Sequence, residues 1–502
     1  MLLLKYVINI KFLLILLLLL IKTKEYLVFP INSFHPNNFT KINNSNNFNN
    51  EDFLNYWLPN EMYTYLYIGS PPNKIYTYLY SEDYISYMDN SICHLSSKYD
   101  NESSSTFKPT SDYIVYFSGF SKMCFANETF SAYTDYELNK LKNMPNITFL
   151  YAVNPLNDTI YSKYYKEPVT GFSCFHLGLQ LPASLDYYDL WVEQLKKNDY
   201  IESTYWTIEF NNKNKLFDIS NENEGFLVVG LPPHKYKPNK FKETDFRSTT
   251  SKVRVKNYED YRVNIWGIIF DEIYFYNSNS THNETIILQT TKCIFSLDIN
   301  LIEGSTVYLN NIENLFFNDL YNKSICFKER VRSLKNGLYY VIWCNKSNFD
   351  EIKKFPTLFF KSIELEYIFE LTYKDLFAVN GDKIFFMIIF RSSEAMFTFG
   401  KLFYKKYSFT FSFDNKIIGF YKNELTENVN PNNNGNNNKN NLFIIILIIV
   451  LVIILIALII IGYFIKKKFL NDRKKRVNEL MDEDYVYESN KNNDSPDSPI
   501  NY

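Results

Sequence analysis

Between Glu61 and about Lys422, short apolar and aromatic runs alternate with clusters of Asn, Asp, Ser and Pro. The runs at 63–68, 75–80, 113–117, 226–230 and 383–390 are the length of strands and are bounded by turn residues. One stretch, 188–197, carries a helical period, with Leu190, Val192 and Leu195 on its inward side. The pattern predicts a mainly β fold with few helices. Residues 25–60 are polar and Asn-rich, contain Pro30 and Pro36, and read as a flexible lead or a short pro-like segment.

Two hydrophobic segments stand apart from this pattern. Lys5 and Lys11 flank an apolar stretch that culminates in 12–21 and stops before Lys22 and Lys24. Residues 1–24 therefore read as a secretory signal cleaved near Thr23–Glu25, with an uncleaved signal anchor as the alternative. The second segment, 442–464, contains no charge and is long enough to cross a ~30 Å hydrocarbon core. An Asn-rich linker at 423–441 precedes it, and Lys466, Lys467, Lys468 and then Arg473–Arg476 follow it. The positive-inside rule puts that basic flank in the cytosol and predicts a single-pass type I protein. Its lumenal or extracellular part would face the secretory pathway, an endosomal or vacuolar compartment, or the cell exterior. The tail, 465–502, turns acidic at 482–484, lacks a periodic apolar pattern and reads as disordered.

Composition narrows the partners. The formal net charge is -2, which gives nucleic acid no electrostatic foothold. The 44 Phe and 42 Tyr supply core-forming surface that favours strands. All six cysteines precede the apolar segment and none lies in the tail, as an oxidising compartment predicts. Neither they nor the scattered histidines have metal-ligand spacing, so no metal or other cofactor is expected. Sequons such as Asn127, Asn146 and Asn322 permit glycosylation on the same side.

Several segments together resemble the pepsin-type aspartic proteases. Residues 63–68 followed by Gly69-Ser70-Pro71-Pro72 resemble that family's first strand and Ile-Gly-Thr-Pro-Pro turn. Tyr99-Asp100 with Ser103-Ser104-Ser105-Thr106-Phe107 is similar to its Tyr-Asp-Pro-x-x-Ser-Ser-Thr segment. Residues 113–119 resemble the flap hairpin, with Tyr116 at the flap tyrosine and Ser118 and Gly119 following. Phe117 replaces the glycine usual after that tyrosine. Glu224–Gly230, Ile265-Trp266, Phe355-Pro356-Thr357-Leu358 and Phe399-Gly400 continue the match in order to Ile418-Gly419-Phe420.

The resemblance implies a bilobal double β-barrel ectodomain, with lobes at 61–240 and 241–422, ahead of one C-terminal transmembrane helix. It also implies a cleft between the lobes. Cys326 and Cys344 resemble the second-lobe disulfide loop, and a Cys93–Cys124 bridge is expected besides. Cys174 and Cys293 lie in apolar contexts and read as buried thiols.

The family's chemistry needs two carboxylates, one per lobe, sharing a proton, each in an Asp-Thr/Ser-Gly loop. The first triplet falls on Tyr80-Ser81-Glu82 and the second on Ser296-Leu297-Asp298. Both aspartates and both glycines are replaced. A phenol with pKa about 10 and an unassisted hydroxyl cannot act as a carboxylate dyad. Tyr80 and Leu297 are expected to pack and fill the centre, leaving a non-catalytic cleft that binds an extended peptide or protein. The alternative is an active membrane-bound endopeptidase with displaced carboxylates among Glu82, Asp83 and Asp298.

Overall fold

Strict alternation builds the first hairpin. In the strand Met62–Ile68, Met62, Thr64, Leu66 and Ile68 are buried while Tyr63, Tyr65 and Tyr67 are half-buried on the other face. Its antiparallel partner Asn73–Tyr80 buries Ile75, Thr77 and Leu79, so the register Tyr65↔Tyr76 places tyrosine opposite tyrosine outside the core. The Tyr65 and Tyr76 rings lie 4.8 Å apart, and Lys74 Nζ sits 3.8 Å from the Tyr65 ring. The hairpin turns at Gly69, whose φ of 92° suits glycine best.

The computed structural model describes residues 25–33, 49–58, 62–80, 87–88, 99–110, 115–117, 121–154, 175–181, 190–211, 224–256, 262–276, 284–287, 290–332, 337–422, 459 and 461–478. The chain divides into two compact units, Met1–Leu425 and Thr426–Tyr502. The first is mainly β, in sheets of fourteen, nine, four and two strands.

Six consecutive strands of the largest sheet join the two halves of this unit. Their order is Phe246–Thr250, Ile417–Tyr421, Thr410–Ser412, Tyr205–Phe210, Gly225–Val229 and Leu27–Ser33. All five pairings are antiparallel, with three strands from each half. The arrangement is pseudo-symmetric about the central pair, where Trp206 faces Phe411 and Thr207 faces Thr410. There the Trp206 and Phe411 rings stack at 4.2 Å and the two threonine hydroxyls hydrogen-bond. Trp266 closes the cluster, 5.2 Å from Phe411.

The lead departs most from the sequence expectation. Residues 27–33 form the strand Leu27–Ser33, with Leu27, Val28, Phe29 and Ile31 in the core. Pro30 is tolerated because its only strand partner is Phe226 on one side. Residues 50–57 form a helix, Asn50–Trp57, capped by reciprocal Asn49–Asp52 bonds. Its Phe53, Leu54 and Trp57 are buried, and Phe53 stacks on Phe385 at 4.4 Å. These parts of 25–60 are therefore ordered, because apolar residues at strand and helix spacing hide in a polar composition.

Other elements stand close to expectation. The predicted helix is Trp191–Lys197, with Leu190, Val192 and Leu195 buried as expected and Trp191 and Gln194 besides. The run at 383–390 is two strands, Lys383–Phe386 and Ile388–Arg391, broken at Met387. Cys326 and Cys344 pair across the base of the hairpin formed by Cys326–Arg332 and Leu338–Asn345.

The second unit corrects the tail. Residues 461–478 are helical, in keeping with the good helix propensity of the Lys, Arg and Leu they contain. Among the described residues no helix is long and apolar enough to cross a membrane. The signal 1–24, the linker 423–441 and all but a few residues of 442–464 lie outside the described residues.

Candidate functional site

Two similar crossings frame the candidate site. In the first half, Asn73–Tyr80 runs parallel to Phe175–Gly178, with Tyr80 opposite Gly178. After Tyr80 the chain returns as Tyr87–Met88 on the far side of that same strand, now antiparallel to it. In the second half, Thr291–Phe295 runs parallel to Met396–Phe399, and Ile302–Ser305 returns antiparallel on its other side. Phe295 faces Phe399, so one further step sets Ser296 opposite Gly400 as Tyr80 is opposite Gly178. The geometry thus makes Tyr80 and Ser296 equivalent positions at the ends of equivalent strands. A side chain at Gly400 would meet the Leu301 carbonyl oxygen at 2.3 Å and that of Ile299 at 2.4 Å, which explains the glycine.

The second crossing shows its loop in detail. Ser296 donates its N–H to the Phe399 carbonyl at 3.0 Å. Its hydroxyl accepts the Asp298 N–H at 3.2 Å and donates to Asp298 Oδ2 at 3.3 Å. Between them Leu297 is 0% exposed and belongs to the apolar core. The following helix, Lys401–Lys406, fastens the loop: Lys401 and Leu402 donate backbone N–H bonds to the Ile299 and Asn300 carbonyls. Tyr404 of this helix is buried, and burial first, then the charge of Asp298, pushes its phenol well above the ordinary tyrosine value. The loop therefore presents a leucine to the core and holds its one carboxylate inward, against a serine hydroxyl and near a phenol.

The lead reaches this loop too. The Asn300 N–H donates to the Leu58 carbonyl at 2.8 Å, two residues beyond Asp298. One backbone donor at the edge of the loop is thus occupied by the chain itself.

Among the other expected site residues, Tyr116 lies in the short strand Val115–Phe117, which forms a hairpin with Ser121–Tyr133 in the register Tyr116↔Lys122. Ser81, Glu82, Asp83, Ser118 and Gly119 lie outside the described residues, as do Cys93 and Cys174. The expected Cys93–Cys124 bridge is not made: Cys124 is a free thiol in mid-strand, with Tyr151 as its cross-strand neighbour.

Cys293 is a buried free thiol, as its apolar context implied. Burial pushes it well above the ordinary cysteine value, so its reactive thiolate is scarce at neutral pH. Iodoacetamide at pH 8 should leave Cys293 unmodified in the folded protein and alkylate it after denaturation, read by peptide mass mapping. Equal labelling in both states would contradict this burial.

Two buried charge clusters carry no signal in the sequence pattern. Glu128 is 1% exposed and accepts hydrogen bonds from Tyr99, from Ser104 Oγ at 2.8 Å, from Thr106 and from the Thr129 N–H at 2.7 Å. It ties the 99–107 segment to the sheet. Glu224, just before Gly225–Val229, pairs with Lys401 and lies 3.7 Å from Lys405, all three buried. This ion cluster joins the first half to the helix that fastens the 296–301 loop. Among the described residues no group of His, Cys, Asp and Glu has the arrangement of a metal site.

No protein-family model matches this chain, and a search of curated proteins finds no match either.

Proposed function

We propose that the chain is a catalytically degenerate, membrane-anchored protein of the pepsin type, whose two-lobed ectodomain binds a peptide or protein without cutting it. The observation that carries this reading is the 296–298 loop, where Ser296 stands in the place of a catalytic aspartate and Leu297 beside it is fully buried. The paired crossings support it by giving Tyr80 and Ser296 equivalent places, neither of which is an acid. The pseudo-symmetric six-strand run and the hairpin around Tyr116 are what two lobes under a flap would require.

A dyad works by sharing one proton between two close carboxyls. Among the described residues Asp298 is the candidate carboxylate beside Ser296, and its engagement with that serine is the feature that favours a displaced-acid enzyme as the second reading. Binding needs no such pair. An extended ligand is held by backbone hydrogen bonds and side-chain pockets, although any ligand reaching the Asn300 N–H has to compete with Leu58. The uncharged 442–464 segment and its basic flank support anchoring in an endosomal, vacuolar or plasma membrane with the β-rich part outside the cytosol.

The test is a purified protein incubated with a mixed peptide library from acidic to neutral pH. Binding without cleavage products is the expected result. Turnover that disappears in Asp298→Asn or Glu82→Gln would replace this reading with the enzyme.

A further inference from the structure

The helical residues 461–478 carry Lys466, Lys467 and Lys468, and then Arg473, Lys474 and Lys475 one heptad later, with Arg476 beside them. Asp472 is the only acid in this stretch. At 100° and 1.5 Å per residue, residues seven apart share a row, so the two triplets lie on the same rows about 10 Å apart. The same geometry gathers Ile465, Phe469, Leu470 and Val477 within about half the circumference, with Lys466, Arg473 and Arg476 interleaved among them, and sets Lys467, Lys468, Lys474 and Lys475 on the other half. Those four apolar side chains are 64%, 69%, 53% and 47% exposed.

We infer that this helix lies flat on an anionic bilayer surface, its apolar edge dipped into the headgroup boundary and its cations against acidic lipid headgroups. The occupant follows from two features. The charge is complementary to an acidic lipid surface, and the helix continues in sequence from the uncharged 442–464 segment. Lying flat is the pose that uses both triplets. Standing on end, the helix would carry the second triplet about 10 Å further out, where a Debye length of about 8 Å screens it.

The inference rests on the membrane-anchored reading of 442–464, and the experiment separates the two. The full chain is reconstituted tail-outward into phosphatidylcholine vesicles with or without phosphatidylserine, and trypsin cleavage within 466–476 is followed by mass spectrometry. Cleavage should slow about tenfold or more in the acidic vesicles and recover in molar salt. A variant with Phe469→Asp and Leu470→Asp keeps every tryptic site and should be cut quickly in both lipids. Equal rates in the two lipids, or protection indifferent to salt, overturn the inference. Alkaline carbonate extraction reports separately on 442–464. An extractable chain that is still protected on acidic vesicles defeats the membrane span and keeps the surface helix. A retained chain that is cut equally in both lipids does the reverse.

Discussion

Trp206→Ala should lower the unfolding free energy by about 3–5 kcal/mol, read from urea transitions. Trp206 is 0% exposed and sits on the pseudo-symmetry axis of the six-strand run, stacked on Phe411 and 6.3 Å from Trp266. Its removal opens a cavity where the two halves share one sheet, and close-packed neighbours on both sides cannot collapse into it without shifting strands. Its indole N–H has no hydrogen-bond partner among the described residues, so Trp206→Phe gives up stacking area without breaking a polar contact. That variant should cost distinctly less than alanine. Equal losses from the two substitutions, or an alanine loss below about 1 kcal/mol, would show that the stack contributes little.

The second large effect is expected at Glu224. Its pair with Lys401 is buried on both sides, with side-chain exposures of 2% and 3%. Removing one partner of a buried pair typically costs about 3–5 kcal/mol, because an uncompensated charge is left behind. Glu224→Gln should therefore destabilise by that order at neutral pH, and the loss should vary with pH in a defined direction. Burial holds Lys401 below the ordinary lysine value, while Glu224 pulls it back up. Without the glutamate the folded-state value falls further. Between that lowered value and the unfolded one, the unfolded chain binds more protons, so the variant's stability rises as pH climbs through this alkaline window. The deficit should be large at neutral pH and shrink on going to about pH 9–10 as Lys401 sheds its proton. A deficit that grows with alkalinity would mean that the pair is not the source of the loss.

Much of the strand pattern is legible in the sequence because it depends on local alternation. Residues 63–68 and 75–80 announce their buried and outward faces in the order of their side chains, and the structure widens each by a residue or two. The Cys326–Cys344 pairing is visible through a resemblance. The lead misleads because its polar composition masks its spacing. Asn49-x-x-Asp52 ahead of Phe53, Leu54 and Trp57 is a capped helix in miniature. The strand Phe175–Gly178, which completes the first crossing, is too short to stand out, although Leu177-Gly178-Leu179 and Phe399-Gly400-Lys401-Leu402 hint at the internal symmetry. Nothing local marks Glu224 and Lys401 as partners. They lie 177 residues apart, and only the meeting of the two halves brings them into contact.

The placement of the lead bears on how the protein can be produced. A recombinant fragment begun at Glu61, a natural choice from the alternating pattern alone, would lack Leu27–Ser33 and Asn50–Trp57. It would enter solution with Gly225–Val229 as a bare sheet margin and with Phe385 stripped of its stacked ring. Such a seam of unpaired backbone invites intermolecular pairing, so poor solubility of that fragment would reflect where it starts rather than how well the whole chain folds.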